Sequence, residues 1–186
     1  GRDVVIAALL GAEEYGFALG KPPSYDWQRI MQRKDQIVEQ QRKGLNFLMK
    51  KNKIEVVYGS AKLTGKNSVE VSKDGKAVDT IKTKTTIIAT GGRPRSIPGV
   101  TIDGKKLISS SEAMVLSEQP KAMVIIGGGA IGIEFAYFYN ALGTKVTVVE
   151  MMPTILPIED KEITKILDSS LRKSGIEILT SAKVEG

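Results

Sequence analysis

Hydrophobic residues recur along the first half of the chain with two different periods. From Trp27 to Lys50 they return mostly every three or four residues, which predicts one long helix, capped by Ser24 or Asp26. Shorter alternating stretches follow and predict a small β-meander, with turns at Gly65–Asn67 and Asp74-Gly75. The strands of the meander are expected at Ala61–Leu63, Ser68–Ser72 and Ala77–Lys82, and separate strands at Ile54–Tyr58 and Thr85–Ala89.

The second half alternates strand-like and helix-like runs. Strands are expected at Ala122–Ile126, Lys145–Val149 and Ile176–Leu179, with one helix ending near Leu142 and another over Lys161–Lys173. This β-α-β-α-β order predicts an α/β fold with a parallel sheet. Residues 93–120 are rich in Pro, Gly and Ser and resemble a connector, so we predict two domains, 1–118 and 119–186.

A glycine-rich turn, residues 127–132, links the first of these strands to its helix. Gly127 permits a tight turn, Gly129 lets the backbone approach phosphates, and Gly132 lets the helix lie close to the sheet. The helix N-terminus adds unpaired N–H groups and about half a positive charge, which suits a diphosphate. The candidate phosphate-binding residues are Gly127, Gly128, Gly129, Ala130, Ile131 and Gly132.

An acid ends the second strand of this unit. Glu150 lies 18 residues after Gly132, near the separation expected for an acid that binds the adenine-ribose hydroxyls. A carboxylate there repels a 2′-phosphate, and the following Met151 and Met152 offer no arginine to hold one. The pattern therefore predicts binding of NAD rather than NADP.

The amino-acid composition limits the kinds of site and reaction that the chain can support. The 186 residues suffice for one or two small domains, and they include no cysteine and no histidine. This excludes disulfides, thiolate nucleophiles, Cys/His zinc sites and imidazole acid–base catalysis within the sequence. The net charge of +6 is spread out, with few aromatic residues among the lysines, so we expect no nucleic-acid binding.

No apolar run reaches the length of a membrane span, because Glu134 and Lys145 interrupt the longest. Val4–Leu10 predicts the end of a buried helix, and the stretch to Ala12 lacks the flanking features of a signal peptide. We therefore expect a cytoplasmic protein without membrane contact. The chain begins without methionine and stops just after a predicted strand, so we expect a piece of a longer protein.

Further segments resemble the flavoprotein disulfide reductases. Thr90-Gly91 follows an apolar strand, and Arg93-Pro94 and Ile97–Gly99 precede the NAD fingerprint. Within that family the chain is most similar to the members that oxidise dihydrolipoamide. The segments that carry this similarity are Lys50–Val56, Gly59–Leu63, Ile108–Ala113 and Val146–Glu150.

The resemblance runs from about Ala8 to Gly186 and covers the middle of a family member. It implies part of an FAD domain, with the long helix and the β-meander, followed by the first half of a Rossmann-type NAD-binding domain. It implies the cofactors FAD and NAD, and electron flow from dihydrolipoamide to a cysteine pair, to flavin and to NAD in 2-oxo-acid dehydrogenase complexes. The implied partners of a full-length protein are the lipoyl domains of those complexes and a second copy in a homodimer.

The resemblance also assigns roles to individual residues. It implies FAD contacts at Gly59, Ala61, Thr90, Gly91 and Gly92. It implies NAD contacts at Gly127–Gly132 and Glu150, with Glu134 near the nicotinamide and Val184 beside the adenine. From the residues alone, Thr90-Gly91 could equally be an ordinary turn, Glu134 a surface charge and Val184 a core valine.

Parts of the family pattern are missing from the sequence, namely the FAD fingerprint and the His–Glu acid–base dyad. The redox motif is a cysteine pair followed by a lysine, and by alignment the second cysteine falls near Asp3 and the lysine near Ala7. We therefore name no catalytic residue and expect the chain alone to be inactive. Three alternatives stay open: a non-catalytic NAD-binding relic, another flavin–nicotinamide reductase such as a mercuric or glutathione reductase or a transhydrogenase, and polyanion binding.

Overall fold

A computed structural model describes residues 24–94 and 97–185. The helix predicted at Val4–Leu10 and the alignment positions Asp3 and Ala7 lie outside these ranges. The described residues divide into two compact units. One contains residues 24–31 and 97–185, and the other contains residues 32–94. The domain boundary at residue 118 stays a prediction.

The predicted long helix is confirmed as α1, Trp27–Lys51. The carboxylate of Asp26 accepts a hydrogen bond from the Arg29 N–H at 3.2 Å, and this bond caps the first turn. At the other end, the Asn52 side chain donates to the Leu48 carbonyl at 2.8 Å. Lys53 then has a φ of +56°, a left-handed conformation that ends the helix.

The predicted meander is also confirmed, as an antiparallel sheet with the order β1-β2-β3. Its strands are β1 (Ser60–Gly65), β2 (Ser68–Lys73) and β3 (Lys76–Lys82). Asp74 and Gly75 both have positive φ, +51° and +77°, as a two-residue hairpin turn between right-twisted strands requires.

The strands predicted at Ile54–Tyr58 and Thr85–Ala89 do not form, so this expectation was wrong. Neither run pairs with another strand in the described part of the chain, and Ile87 and Ile88 are 86% and 70% exposed. Apolar and β-branched residues favour extended backbone, but a strand exists only where its N–H and C=O groups meet a neighbour. Residues 24–94 and 97–185 therefore contain the propensity for these two strands but no strand that pairs with them.

The second half forms the predicted parallel sheet, with the order β4-β5-β6. Its strands are β4 (Ala122–Ile126), β5 (Lys145–Val149) and β6 (Glu177–Leu179). A short helix α2 (Ser110–Ala113) precedes the sheet, and α3 (Ala130–Ala141) and α4 (Lys161–Lys173) connect its strands. The mixed fold class and the βαβαβ order are thereby confirmed.

Tyr139 of α3 anchors the core of this unit. Its side chain is fully buried, its hydroxyl donates to the Ala113 carbonyl at 2.6 Å, and its ring lies 5.8 Å from that of Trp27. The Trp27 indole N–H donates in turn to the Leu116 carbonyl at 3.0 Å. Val146 and Val148 of β5 are buried in the same core, which fixes α3 against the sheet.

Candidate dinucleotide-binding site

The glycine-rich turn carries the chain from β4 into α3. Gly127 has a φ of +109°, which side chains rarely tolerate, and its N–H donates to the Val149 carbonyl at 2.9 Å. This bond holds the end of β5 beside the turn. The turn therefore lies at the carboxyl ends of neighbouring parallel strands, where open α/β sheets bind ligands.

Gly132 is required by packing. A Cβ atom at this position would overlap with the carbonyl oxygen of Gly127 and stand 3.2 Å from Cγ2 of Ile125. Real Cβ atoms do not approach a backbone oxygen so closely, so α3 can lie this close to the strand only because residue 132 has no side chain.

Gly129 is different, because nothing in the protein crowds it. It is the N-cap of α3, with φ −74° and ψ 176°, and an added Cβ would meet no atom within 4 Å. Gly129 provides no side-chain cap for the helix. The first N–H groups of α3 thus lack the cap that many helices carry, and such groups can bind an anion.

Glu150 lies against this turn. Its side chain is only 9% exposed, and Oε2 accepts a hydrogen bond from the Gly128 N–H at 2.6 Å. Oε1 accepts from the Met152 N–H at 2.7 Å. Each carboxylate oxygen can still accept from a further donor, such as a ribose hydroxyl.

The backbone of Glu150 is held as firmly as its side chain. Its N–H donates to the Leu179 carbonyl at 2.7 Å, and its carbonyl accepts from the Ala182 N–H at 3.0 Å. These bonds tie the ends of β5 and β6 together. The acid and the glycine-rich turn, predicted separately from the sequence, are therefore brought into direct contact.

Ile155 is buried next to Gly128, and it was not among the site residues predicted from the sequence. It is 1% exposed, and a Cβ on Gly128 would stand 3.0 Å from its Cγ2 atom. The next residue, Leu156, donates its N–H to the Gly128 carbonyl at 2.8 Å. The one signal in the sequence is an apolar pair, Ile155-Leu156, inside an otherwise loop-like segment after the acid.

The remaining candidates for NAD lie around this centre. Ala130 and Ile131 are exposed in the first turn of α3, Glu134 is exposed one turn further along, and Val184 is half-buried after β6. The roles of Glu134 and Val184 beside the nicotinamide and the adenine stay predictions.

The residues predicted to contact FAD belong to the other compact unit. At Gly59 an added Cβ would lie 2.7 Å from the Ser72 carbonyl oxygen, so packing against β2 by itself requires a glycine there. Ala61 lies in β1 opposite Val71. Thr90, Gly91 and Gly92 are exposed, and Gly91 has a φ of +77°. Within the described ranges no hydrogen bond joins these two groups.

Residues 24–94 and 97–185 also bear on metal binding and membrane insertion. No group of Asp, Glu, His or Cys side chains there is arranged to hold a metal ion. No helix in the same residues is long and apolar enough to span a membrane.

A parallel βαβαβ unit with a glycine turn and a strand-end acid defines the class of dinucleotide-binding proteins. The chain belongs to the pyridine nucleotide-disulphide oxidoreductase family, which matches residues 4–186. Members of this family use FAD and NAD(H).

Several dihydrolipoyl dehydrogenases are similar to the chain. The chain is 42% identical over 173 residues to the one from Chlorobaculum tepidum, covering 93% of this chain and 37% of that protein. It is 41% identical over 169 residues to one from Bacillus subtilis, covering 87% of this chain and 36% of that protein. The chain thus spans less than two fifths of the length of these relatives.

Two solved structures have folds similar to that of the chain. The flavoprotein disulfide reductase RclA from Escherichia coli aligns with a TM-score of 0.69 at 29% identity, over 97% of this chain and 39% of that one. LpdA from Mycobacterium tuberculosis aligns with a TM-score of 0.85 over 98% of this chain and 40% of that one. At 22% identity, the second likeness supports the fold alone.

Proposed function

We propose that the chain is part of a dihydrolipoyl dehydrogenase and supplies the pyrophosphate- and ribose-binding portion of its NAD site. The observation that carries the proposal is the carboxylate of Glu150, 2.6 Å from the Gly128 N–H and beside the uncapped start of α3. The identity of about two fifths to dihydrolipoyl dehydrogenases supports the particular activity.

Each part of the site has a separate task in this proposal. The backbone N–H groups from Gly129 to Gly132 bind the pyrophosphate, helped by the positive end of α3. The carboxylate of Glu150 accepts hydrogen bonds from the adenine-ribose hydroxyls and repels a 2′-phosphate, which favours NAD(H) over NADP(H). Glu134 lies near the nicotinamide, and Val184 contacts the adenine.

The other compact unit contributes to the flavin site. Thr90, Gly91 and Gly92 follow an apolar run, and the positive φ of Gly91 is typical of turns that expose N–H groups to an anion. Gly59 and Ala61 lie near the adenosine end of FAD. In the full-length protein, FAD passes electrons from dihydrolipoamide, presented on lipoyl domains, to NAD in a cytoplasmic homodimer.

A binding measurement on Gly129 tests the nicotinamide site. Because an added side chain at residue 129 meets no protein atom, Gly129→Leu should keep the fold but fill the space proposed for the pyrophosphate. We expect saturation-transfer NMR to detect NAD⁺ binding to the unaltered chain with a Kd of about 1 mM, and no binding to Gly129→Leu.

Gly44→Leu is the matched control, since Gly44 in α1 also has open space around its Cβ position. It should bind NAD⁺ like the unaltered chain. Equal binding by Gly129→Leu, or no binding by the unaltered chain at 10-fold that Kd, would contradict the assignment. Circular dichroism of each variant verifies that the fold is retained.

A second candidate is another flavoprotein disulfide reductase of the same family, favoured by the alignment with RclA at 29% identity. The higher identity to the dihydrolipoyl dehydrogenases, 42%, favours the first candidate. Replacing the matching segment of the Bacillus subtilis relative with residues 24–185 of this chain separates the two. Retained lipoamide-dependent reduction of NAD⁺ by the chimera supports the first candidate, and loss of lipoamide turnover with retained NADH–flavin electron transfer supports the second.

A further inference from the structure

Two exposed methionines follow Glu150 directly. The side chains of Met151 and Met152 are 64% and 43% exposed. The backbone of Met152 is nevertheless fixed, because its N–H donates to the Glu150 carboxylate and its carbonyl accepts from the Ser181 N–H at 2.9 Å. Two solvent-exposed thioethers thus lie one and two residues after the acid, on a backbone that is tied to its carboxylate.

We propose that Met151 and Met152 are an oxidation site at which peroxides control the affinity for the dinucleotide. The inference rests on the proposed function, because it regulates the same NAD site. The oxidant is hydrogen peroxide or an organic hydroperoxide. The thioether sulfur attacks one peroxide oxygen, an S–O bond forms and the O–O bond breaks. The sulfur loses two electrons, and the other peroxide oxygen takes up the proton of the transferred oxygen and leaves as water or an alcohol.

Oxidation changes the chemistry next to Glu150. A thioether is apolar and can lie under a sugar or base, whereas a sulfoxide carries a strong dipole with a partly negative oxygen. Covering that dipole with a ligand costs desolvation, and its oxygen adds negative potential beside a carboxylate and a pyrophosphate. The affinity for NAD⁺ therefore falls when the methionines are oxidised, and bound NAD⁺ shields them from the oxidant.

Met114 is an internal control of the same residue type. It is 52% exposed, between the values of the two methionines at the site. The preceding residue, Ala113, accepts the hydrogen bond of Tyr139, which lies ten residues after Gly129 on α3. Ten helical residues correspond to about 15 Å, so Met114 lies well away from the glycine turn.

Peptide mapping by mass spectrometry after peroxide treatment tests the inference on the chain as it exists. We expect oxidation of all three exposed methionines without ligand. Saturating NAD⁺ should slow oxidation of Met151 and Met152 at least about threefold relative to Met114, because the ligand covers them. The oxidised chain should bind NAD⁺ about three to ten times more weakly, and methionine sulfoxide reductase should restore the affinity.

Variants assign the effect to these residues. The double variant Met151→Leu/Met152→Leu should bind NAD⁺ with the same affinity before and after peroxide, whereas Met114→Leu should lose affinity on oxidation as the unaltered chain does. Loss of affinity in the double variant, or equal oxidation of all three methionines with and without NAD⁺ while NMR detects binding, overturns the inference and leaves the proposed function standing. Absence of both binding and protection overturns both.

Discussion

At the scale of single residues, Gly129 and Gly132 have opposite reasons to be glycine. They lie three positions apart in one turn, yet a side chain would meet the Gly127 carbonyl at residue 132 and no protein atom at residue 129. Packing of the fold requires glycine at residue 132. Glycine at residue 129 is unexplained unless a ligand approaches the backbone there. The glycine pattern in the sequence predicted both positions, but it could not separate packing from binding.

Gly132→Ala should destabilise the chain. Alanine is the better helix former by about 1 kcal/mol, but its Cβ would overlap with a backbone oxygen and force α3 away from β4. We expect a net loss of ~1–3 kcal/mol in the free energy of unfolding, measured by urea denaturation. Gly129→Ala is the control and should lose less than about 1 kcal/mol. An unchanged midpoint for Gly132→Ala would mean that α3 can shift freely.

At the scale of elements, those whose partners follow directly in the chain were predicted well. The strands of the meander and of the parallel β4-β5-β6 sheet pair in chain order, and α4 connects two of these strands. Ile54–Tyr58 and Thr85–Ala89 were predicted wrongly, because strand formation depends on pairing that a local pattern does not contain. Ile155 was missed for a related reason, since its burial under Gly128 is set by the folded loop.

The packing of α3 against its core should weaken at alkaline pH. Burial raises the pKa of Tyr139 above its usual value of 10.0, because the phenolate would lose its hydration. The folded pKa is thus the higher one, so the stabilisation is complete below pH 10 and is lost as the pH rises through the folded pKa. We expect the thermal midpoint to fall above pH 10 by a step that Tyr139→Phe removes.

The matched control is Tyr137→Phe, because Tyr137 lies on the same helix and is 65% exposed. This variant should keep the alkaline step. Tyr139→Phe also leaves the Ala113 carbonyl without its donor, so it should lower the free energy of unfolding by about 1 kcal/mol at neutral pH. The Tyr139 assignment would be wrong if the two variants had the same pH profile.

At the scale of the whole molecule, the family and its cofactors could be predicted because their motifs are contiguous in sequence. Strand, glycine turn, helix and acid lie within residues 122–150, and the family match extends over residues 4–186. The flavin residues could be assigned only by resemblance, and packing alone accounts for Gly59. A site assembled from separate segments gives a weaker local pattern than one built on a single βαβ unit.

The chain alone should show no lipoamide-dependent formation of NADH. Its sequence contains no cysteine for dithiol exchange and no histidine to carry the proton. The measurement is NADH absorbance with dihydrolipoamide, NAD⁺ and added FAD, and the full-length Bacillus subtilis relative serves as the positive control. Turnover above the rate without protein would refute this expectation.

The hydrogen bonds of Glu150 bear on the energetics of ligand capture. Its carboxylate is immobilised by two backbone donors before any sugar arrives, and its main chain is fixed by β6. The rotamer entropy of this acid is therefore lost during folding rather than during association, which makes the site preorganised. Differences in affinity between dinucleotides should then come from the conformational entropy and hydration that each ligand loses on binding, because the conformation of Glu150 is already fixed.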